Sequence, residues 1–215
     1  MEHLQLHLYE IRQFELAPWL LLAAYLLGSV PWGLVIAKVF LGFDPRTKGS
    51  GNIGMTNVMR TGGKKAGIAT FLLDFGKGFL AVWLCSGYFH APEIFSILAG
   101  FLAVLGHTKS VFLKFTGGKG VATNFGVWAA LDWRVFLALA ALWVGVFLWK
   151  KISSLAALTA LALMPLVVFL FESLDDRLYL ASLLSIYLII LHKSNIARLL
   201  GGAEGKLKTT KEKLP

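Results

Sequence analysis

The sequence predicts an all-α, polytopic integral membrane protein with about seven transmembrane helices, its amino terminus outside and its carboxyl terminus in the cytoplasm. Three observations support this prediction. Of the 215 residues 57% are hydrophobic and only 15% are charged, whereas soluble domains carry about 25% charged residues. The apolar residues form continuous runs rather than the strict alternation of a membrane β-barrel. The cations gather in alternate connections between these runs.

Seven apolar runs supply the candidate spans. They are residues 17–41, 65–89, 92–107, 120–131, 134–149, 152–171 and 177–192. A spanning helix needs about 20 apolar residues, so five runs are predicted to be full spans and the two between 120 and 149 to be short and strongly packed. Small residues at helix contacts let membrane helices approach closely. Glycines predicted at such contacts are Gly67, Gly76, Gly78 and Gly100.

The distribution of cations assigns the two sides of the membrane. Cytoplasmic connections are enriched in lysine and arginine. Cations follow the first, third and fifth runs and fill the tail: Lys48, Arg60, Lys64, Lys65, Lys109, Lys114, Lys119, Lys150, Lys151, Lys193, Arg198, Lys206, Lys208, Lys211 and Lys213. This pattern is consistent only if residues 120–149 cross twice, with a turn at residues 131–134.

The same reasoning divides the chain into three parts. Residues 1–16 are an extracytoplasmic or interfacial segment, residues 17–200 a single transmembrane helical domain, and residues 201–215 a basic cytoplasmic tail. The formal charge of +9 is attributed to the cytoplasmic side of a membrane protein, and no nucleic-acid partner is expected. A single cysteine, Cys85, excludes an internal disulfide and a cysteine metal cluster.

Three polar segments, residues 49–57, 106–120 and 192–198, interrupt the apolar sequence. Each contains amide or hydroxyl side chains and a cation lies in or near each one; glycines occur in the first two. Backbone amides next to glycine, together with cations, bind phosphate groups well. Because the predicted topology places all three segments at the cytoplasmic face, we expect them to converge on anionic substrates.

The first segment matches the dinucleotide-binding pattern Gly-x-Gly-x-x-Gly at Gly49, Gly51 and Gly54. That motif needs a preceding strand and a parallel sheet, and a membrane helix precedes it here, so nicotinamide binding is disfavoured. The glycines still allow an anion to approach the backbone. Neutral donors expected to assist are Ser50, Asn52, Thr56 and Asn57. The alternative is a simple reverse turn, since these residue types dominate turns.

Two cations accompany the glycine-rich segments. Lys119 lies in Gly117-Gly118-Lys119-Gly120, which lacks the first glycine and the hydroxyl residue of a Walker A motif. Nucleotide hydrolysis is therefore disfavoured, and Lys119 is either a phosphate ligand or a positive-inside anchor. Arg60 follows the first segment by about one helical turn, and its planar guanidinium suits phosphate or carboxylate.

The other ionisable candidates are two histidines and an acid–base pair within a predicted span. Asp74 and Lys77 are spaced i, i+3 within a predicted span, which favours a structural ion pair over direct chemistry. His107 and His192 end apolar runs on the cytoplasmic side and are candidates for proton transfer or substrate orientation. No acid lies beside either histidine in the sequence, so no catalytic triad is predicted. No carboxylate cluster indicates a metal.

Together these residues resemble the bacterial acyl-phosphate:glycerol-3-phosphate acyltransferase family, the PlsY type. The matching residues are Gly28-Ser29-x-Pro31-x-Gly33, Asp44-x-Arg46-x-x-Gly49-Ser50-Gly51-Asn52-x-Gly54-x-Thr56-Asn57, Asp74-x-x-Lys77-Gly78, Gly106-His107, Val111-Phe112-Leu113-Lys114-Phe115-x-Gly117-Gly118-Lys119-Gly120-Val121-Ala122-Thr123 and His192-x-x-Asn195-Ile196-x-Arg198-Leu199-Leu200-x-Gly202-x-Glu204. Met55 and Ser110 depart from the family pattern, and a change of shape without loss of activity is expected there.

The resemblance implies a multi-pass enzyme of the bacterial inner membrane with its active site at the cytoplasmic face. Such an enzyme transfers a fatty acyl group from acyl phosphate to the 1-hydroxyl of sn-glycerol 3-phosphate, giving lysophosphatidic acid and phosphate. No cofactor or metal is implied, and the expected partners are the two substrates and membrane lipids. A monomer is expected. The alternative from another class is a transporter of a phosphorylated solute, since broken helices with cationic ends also suit that task.

Roles for the candidate residues follow from this resemblance. The acyl-phosphate headgroup is assigned to the glycine loop: Gly49, Ser50, Gly51, Asn52, Thr56 and Asn57. Glycerol 3-phosphate is assigned to Arg60, Lys119, His192 and Asn195, with Ser50 shared. The expected catalytic set is Ser50, Arg60, Lys119, His192, Asn195 and His107. Direct transfer is favoured over an acyl-enzyme on Ser50, because no adjacent base is encoded.

Overall fold

Apolar helices make up most of the computed structural model, which describes residues 15–172 and 175–205. The α-helices of these ranges are α1 Ala17–Ser29, α2 Trp32–Leu41, α3 Met55–Gly62, α4 Lys64–Trp83, α5 Glu93–Thr108, α6 Val121–Leu131, α7 Trp133–Lys150, α8 Ser153–Glu172, α9 Asp176–Leu191 and α10 Lys193–Leu200. A π-helical turn, Leu84–Tyr88, extends α4, and 3₁₀ turns occur at Pro45–Thr47 and Val111–Leu113. The predicted all-α class is confirmed. Most of the predicted interfacial segment and the tail beyond Gly205 lie outside the described residues.

Each predicted apolar run coincides with a helix or a pair of helices. The first run, residues 17–41, is predicted to be one span, and the structure divides it into two helices. Pro31 lacks an amide hydrogen and forces the preceding Val30 out of the helical region (φ −60°, ψ 117°). The run therefore forms α1 and α2, which meet at an angle of 42°.

The lengths of the helices bear on how many cross a membrane. Among the described residues, three helices are long and apolar enough: Lys64–Tyr88, Trp133–Lys150 and Ser153–Phe171. The number rises to five if α1 with α2, and α9 with α10, which bend by 61°, each count as one broken span. The shorter apolar helices α5 and α6 measure about 24 Å and 16 Å at 1.5 Å per residue. Seven crossings and the orientation of the termini remain predictions.

Two acidic caps set the turns at one end of the bundle. Asp132 separates α6 from α7 at the predicted turn, and its side chain accepts a hydrogen bond from the amide of Arg134 at 2.8 Å. Asp175 begins α9 in the same way, accepting from the amide of Arg177 at 2.9 Å. A carboxylate in this position satisfies amides that have no partner within the helix.

Glycine contacts bring the central helices together. A Cβ atom at Gly78 would lie 2.1 Å from the carbonyl oxygen of Thr123, and one at Gly126 would lie 1.9 Å from that of Phe75. Helices α4 and α6 therefore pack with their backbones almost in contact. Gly67 and Gly100 also face close neighbours, as predicted. Gly76 does not, because a Cβ atom there would meet no atom within 4 Å.

Candidate active site

The three polar segments meet in one cavity of about 690 Å³. Its polar lining comes from the loop before α3, the Gly117–Gly120 turn before α6, the start of α8 and the bend between α9 and α10. The polar and glycine residues that line it include Gly49, Ser50, Asn52, Thr56, Asn57, Arg60, Asp74, His107, Lys119, Ser153, Ser154, His192, Asn195, Arg198 and Glu204. The predicted convergence of the segments is confirmed.

The remainder of the cavity lining is apolar. Phe71 of α4, Phe125 of α6 and Phe136 and Trp143 of α7 line it. The Phe125 and Phe136 rings pack edge to face, with centroids 6.2 Å apart. The same space therefore offers cations and amides on one side and hydrocarbon on the other, which suits an amphipathic ligand.

Asn57 holds the glycine loop in shape. Its amide nitrogen lies 2.8 Å from the carbonyl oxygen of Pro45, 3.1 Å from that of Lys48 and 2.8 Å from that of Asn52. Its side-chain oxygen accepts a hydrogen bond from the Ser50 amide at 2.8 Å. The Asn57 side chain was predicted to contact substrate, but both polar ends of its amide are engaged inside the loop.

Other members of the loop are arranged in different ways. Gly49 and Gly51 have left-handed backbones, with φ of 61° and 71°, where a side chain is strained. Gly49 lines the cavity, whereas the role predicted for Gly51, which is not among the lining residues, stays a prediction. Asn52 accepts a hydrogen bond from the Gly54 amide at 2.8 Å. Thr56 reaches across to α8, with its hydroxyl oxygen 2.9 Å from that of Ser153.

A chain of hydrogen bonds joins Lys119 to Glu204, which follows α10. The Lys119 ammonium donates to the side-chain oxygen of Asn195, and the Asn195 amide donates to Glu204 Oε1 at 2.7 Å. Ser154 donates to the same oxygen at 2.6 Å, while Arg198 donates to Oε2 at 2.5 Å. Glu204 therefore fixes which end of the Asn195 amide faces Lys119.

This network shifts two ionisation equilibria. Burial lowers the pKa of Lys119 below its ordinary value of 10.5, and the nearby positive charge of Arg198 lowers it further, while Glu204 opposes the change. Burial alone would raise the pKa of Glu204, but hydrogen bonds from Ser154, Arg198 and Asn195 outweigh it and lower that pKa below 4.5. Glu204 is therefore a carboxylate at neutral pH.

His192 caps the bend between α9 and α10 and is 3% exposed. Its Nδ1 lies 2.8 Å from the carbonyl oxygen of Leu188. Because a carbonyl only accepts hydrogen bonds, Nδ1 carries a hydrogen and Nε2 is left as the second polar atom. Arg60 lies across the cavity on α3, where no other described residue forms a hydrogen bond or ion pair with its guanidinium.

A buried group of three ionisable residues lies at the inner wall of the cavity. Lys77 Nζ is 2.8 Å from Asp74 Oδ1, so the predicted ion pair is confirmed. No acid lies beside His107 in the sequence, but the fold brings His107 Nδ1 to 3.5 Å from the same oxygen. The two residues are 33 positions apart in the sequence and meet only through the packing of α4 against α5.

Several lining residues were not assigned a role from the sequence. Arg198 was noted as a cytoplasmic cation and, with Glu204, as part of the family pattern, while Asp74 was noted in that pattern and as half of an ion pair. Ser153 and Ser154 went unnoticed, although two hydroxyl residues directly after Lys150-Lys151-Ile152 are typical of a helix start. In the described ranges, no group of three His, Cys, Asp or Glu side chains is arranged to hold a metal ion.

Comparison with known proteins places this architecture in a family. The glycerol-3-phosphate acyltransferase family matches residues 18–202. A glycerol-3-phosphate acyltransferase of Jannaschia sp. is 46% identical over 189 residues, which is 88% of this chain and 92% of its own. One of Mesorhizobium japonicum is 47% identical over 187 residues, covering 87% and 94%.

Solved structures give the same result. The crystal structure of PlsY (YgiH), an integral membrane glycerol 3-phosphate acyltransferase, in its glycerol 3-phosphate form superposes with a TM-score of 0.85 at 42% identity, covering 90% of this chain and 96% of that one. The lysophosphatidic acid form superposes with a TM-score of 0.81 at 41% identity, over the same shares. The chain therefore belongs to the glycerol-3-phosphate acyltransferase family of integral membrane enzymes.

Proposed function

We propose that this enzyme transfers a fatty acyl group directly from acyl phosphate to the 1-hydroxyl of sn-glycerol 3-phosphate at the cytoplasmic face of the bacterial inner membrane. The products are lysophosphatidic acid and inorganic phosphate. One observation carries the proposal: a single cavity combines a cationic, amide-rich side with an aromatic and aliphatic side. Two phosphate groups and one hydrocarbon chain are the ligand features that such a lining matches.

The glycerol 3-phosphate site is assigned to Arg60, Lys119, His192 and Asn195, all of which line the cavity. Lys119 and Arg60 supply positive charge, and Arg198 adds a third cation beside them. The Nε2 atom of His192 is available to the substrate because Nδ1 is bonded to the Leu188 carbonyl. Relatives named as glycerol-3-phosphate acyltransferases, and a related crystal structure in the glycerol 3-phosphate form, support this substrate.

The acyl-phosphate headgroup is assigned to the glycine loop. Gly49 and Ser50 line the cavity next to Thr56, and glycine at position 49 allows the left-handed backbone with which the loop turns there. Asn57 contributes by shaping this loop, since its amide is engaged within it. The acyl chain lies along Phe71, Phe136 and Trp143, where hydrocarbon is buried against aromatic rings.

The chemistry needs positioning more than activation. In a mixed anhydride the carbonyl carbon already carries a good leaving group, so the bound glycerol hydroxyl oxygen attacks that carbon and the bond to phosphate breaks. The hydroxyl proton passes to an oxygen of the departing phosphate. Cations around both phosphates stabilise the charge that develops, and holding both substrates together removes much of the entropic barrier. No covalent acyl-enzyme on Ser50 is needed.

A transporter of a phosphorylated solute is the alternative function class. It requires polar determinants near the middle of the membrane with access from both sides. Among the ionisable residues that the structure describes, Asp74 and Lys77 are the buried pair within a helix, and family membership favours the transferase. Release of phosphate that depends on both substrates supports acyl transfer, whereas counterflow in proteoliposomes without release would support a carrier.

The decisive assay measures phosphate released by the detergent-purified enzyme from palmitoyl phosphate and glycerol 3-phosphate. Ser50→Ala, Arg60→Ala and Lys119→Ala are each expected to lower kcat/KM by at least about a hundredfold, because each removes a donor to a phosphate. Lys114→Ala is the matched control, since Lys114 is exposed and does not line the cavity. Near wild-type turnover in Lys119→Ala would refute the site assignment. An acylated Ser50, detected by mass spectrometry with donor alone, would refute direct transfer.

A further inference from the structure

One group of buried ionisable side chains is not used in the proposed reaction. Asp74 and Lys77 of α4 and His107 of α5, here called the buried charge cluster, are 2%, 2% and 4% exposed. Ionisable groups are costly inside a membrane protein and are retained mainly where they act. An ion pair alone needs two partners, so the third residue calls for a separate explanation.

The cluster is fixed against two helices at once. Lys77 Nζ forms an ion pair with Asp74 Oδ1 at 2.8 Å and donates a hydrogen bond to the carbonyl oxygen of Val30, also at 2.8 Å. Val30 is the residue at which α1 ends before Pro31. The Asp74 carboxylate therefore has a defined position relative to α1 and α4, and it presents the oxygen that lies 3.5 Å from His107 Nδ1.

The other side of His107 supports the glycine segment that carries Lys119. The Gly118 amide donates to the His107 carbonyl oxygen at 3.1 Å. A Cβ atom at Gly118 would lie 2.1 Å from His107 Nε2, and one at Gly117 would lie 2.2 Å from the His107 carbonyl oxygen. The segment is thus seated on the ring and backbone of His107, and the next residue along it is Lys119.

We propose that Asp74 and Lys77 are positioning residues for acyl transfer that act through His107. The cluster fixes the imidazole, the imidazole fixes residues 117–120, and this segment holds Lys119 where it meets Asn195 and the phosphate of glycerol 3-phosphate. The inference rests on the proposed function, which assigns Lys119 to that phosphate. It also changes the role predicted for His107. With Nδ1 facing Asp74 and Nε2 against Gly118, the ring is a support for the segment and not the acceptor of the substrate proton.

The proposal is tested by a double-mutant cycle on the full-length enzyme. The variants are Asp74→Asn, His107→Ala and the two combined, and the KM values for glycerol 3-phosphate and palmitoyl phosphate are measured separately. We expect each single change to raise the KM for glycerol 3-phosphate about tenfold, because small displacements of a binding group are costly. The KM for palmitoyl phosphate stays within twofold. Because Asp74 acts through His107, the combined variant matches His107→Ala.

Two further variants separate positioning from folding. Thr70→Val removes a fully buried hydroxyl one turn before Asp74, where it bonds only to its own helix at Ala66, and it leaves both KM values unchanged. Asp74→Asn leaves Lys77 unpaired, and this variant could fail to accumulate for that reason. In that case the double variant Asp74→Asn/Lys77→Met, which removes both charges, takes the place of Asp74→Asn in the cycle. A purely structural ion pair predicts that this neutral pair has wild-type constants.

The outcomes distinguish this inference from the function on which it rests. Isothermal titration calorimetry of each purified variant measures its affinity for glycerol 3-phosphate without turnover, so the same comparison can be made on binding alone. Unchanged affinity in both single variants, multiplied effects in the combined variant, or an equal rise in both KM values would overturn the positioning role. Failure of the wild-type enzyme to release phosphate from the two substrates would instead count against the proposed function, while the titration would still test the cluster.

Discussion

The carboxylate of Glu204 organises the cationic side of the cavity, and its neutralisation is a sharp test of the site. In Glu204→Gln the side chain keeps its shape and loses its charge. Glu204 Oε1 accepts from Ser154 at 2.6 Å and Asn195 at 2.7 Å, and Oε2 accepts from Arg198 at 2.5 Å. A glutamine can retain the first two as neutral hydrogen bonds. Its amide nitrogen then faces the guanidinium of Arg198, where two donors oppose each other.

The distances and charges set the size of the effect. A hydrogen bond to a charged group contributes about 1.5–3 kcal/mol and a neutral one about 0.5–1.5 kcal/mol. Losing the hydrogen bond from Arg198 and weakening those from Ser154 and Asn195 costs roughly 2–4 kcal/mol. The Glu204 side chain is 12% exposed, so water replaces part of the lost interactions. Because the hydrogen bond from the Asn195 amide is weaker, the orientation that presents the Asn195 oxygen to Lys119 is held less firmly. We therefore expect kcat/KM for glycerol 3-phosphate to fall at least about tenfold.

The assay is phosphate release at varied glycerol 3-phosphate, with thermal unfolding of each variant in the same detergent. Glu93→Gln is the matched control: its carboxylate pairs with Arg177 at 2.6 Å but is 56% exposed and does not line the cavity. That change is expected to leave kcat/KM within twofold. Wild-type kcat/KM in Glu204→Gln would refute the reasoning, as would an equal loss in Glu93→Gln.

Two further predictions concern protonation and packing. Because burial and Arg198 lower the pKa of Lys119, the lysine loses its charge in alkaline solution at a pH below 10.5. The kcat/KM for glycerol 3-phosphate should fall over the same pH range. In Lys119→Arg this fall should move to higher pH. A profile unchanged in Lys119→Arg would assign the fall to another group. Gly78→Ala places a Cβ atom 2.1 Å from the Thr123 carbonyl oxygen and should lower the midpoint of thermal unfolding by several degrees, as expected for about 1–3 kcal/mol of overpacking. Gly76→Ala, two residues away on the same helix with no atom within 4 Å, should leave the midpoint unchanged or raise it, and equal losses in the two variants would contradict the packing argument.

The convergence of the three polar segments could be predicted because it depends on topology alone. Once alternate connections are assigned to one side of the membrane by their cations, residues 49–57, 106–120 and 192–198 must share a face. Helix packing was not needed for this step. The meeting of Asp74 with His107 is different, since it depends on the rotation of α4 against α5 and the depth at which each helix sits. No spacing in the sequence encodes either quantity.

The differences between the prediction and the structure have local physical causes. The break at Pro31 was encoded in the sequence, but a hydropathy window averages over it and reports one long apolar run. The sequence does not distinguish Gly76 from Gly78, but of these two glycines Gly78 is the one that faces α6. Likewise, the side-chain amide of Asn57 could donate hydrogen bonds to a substrate, and only the folded loop shows that it lies against three carbonyl groups instead.

The helix break at Pro31 gives two buried polar side chains, Ser110 and Lys77, a role in the backbone. Inside a membrane, backbone groups freed by a break must find partners within the protein. The carbonyl groups of Ser29 and Val30, next to Pro31, accept from Ser110 at 2.6 Å and from Lys77 at 2.8 Å. A polar side chain at a break is therefore as readily explained by repair of the backbone as by substrate binding.

The side chains not used for such repair are the stronger candidates for substrate contact. Within residues 15–172 and 175–205, neither the Arg60 guanidinium nor the Ser50 hydroxyl is engaged by another side chain or carbonyl, and both line the cavity. Asn57 and Ser110 are fully used in holding loops. This distinction orders the predicted losses: alanine at Arg60 or Ser50 should reduce turnover with little change in thermal stability, whereas alanine at Asn57 should reduce both together, since it leaves the Ser50 amide and three loop carbonyls without their partner.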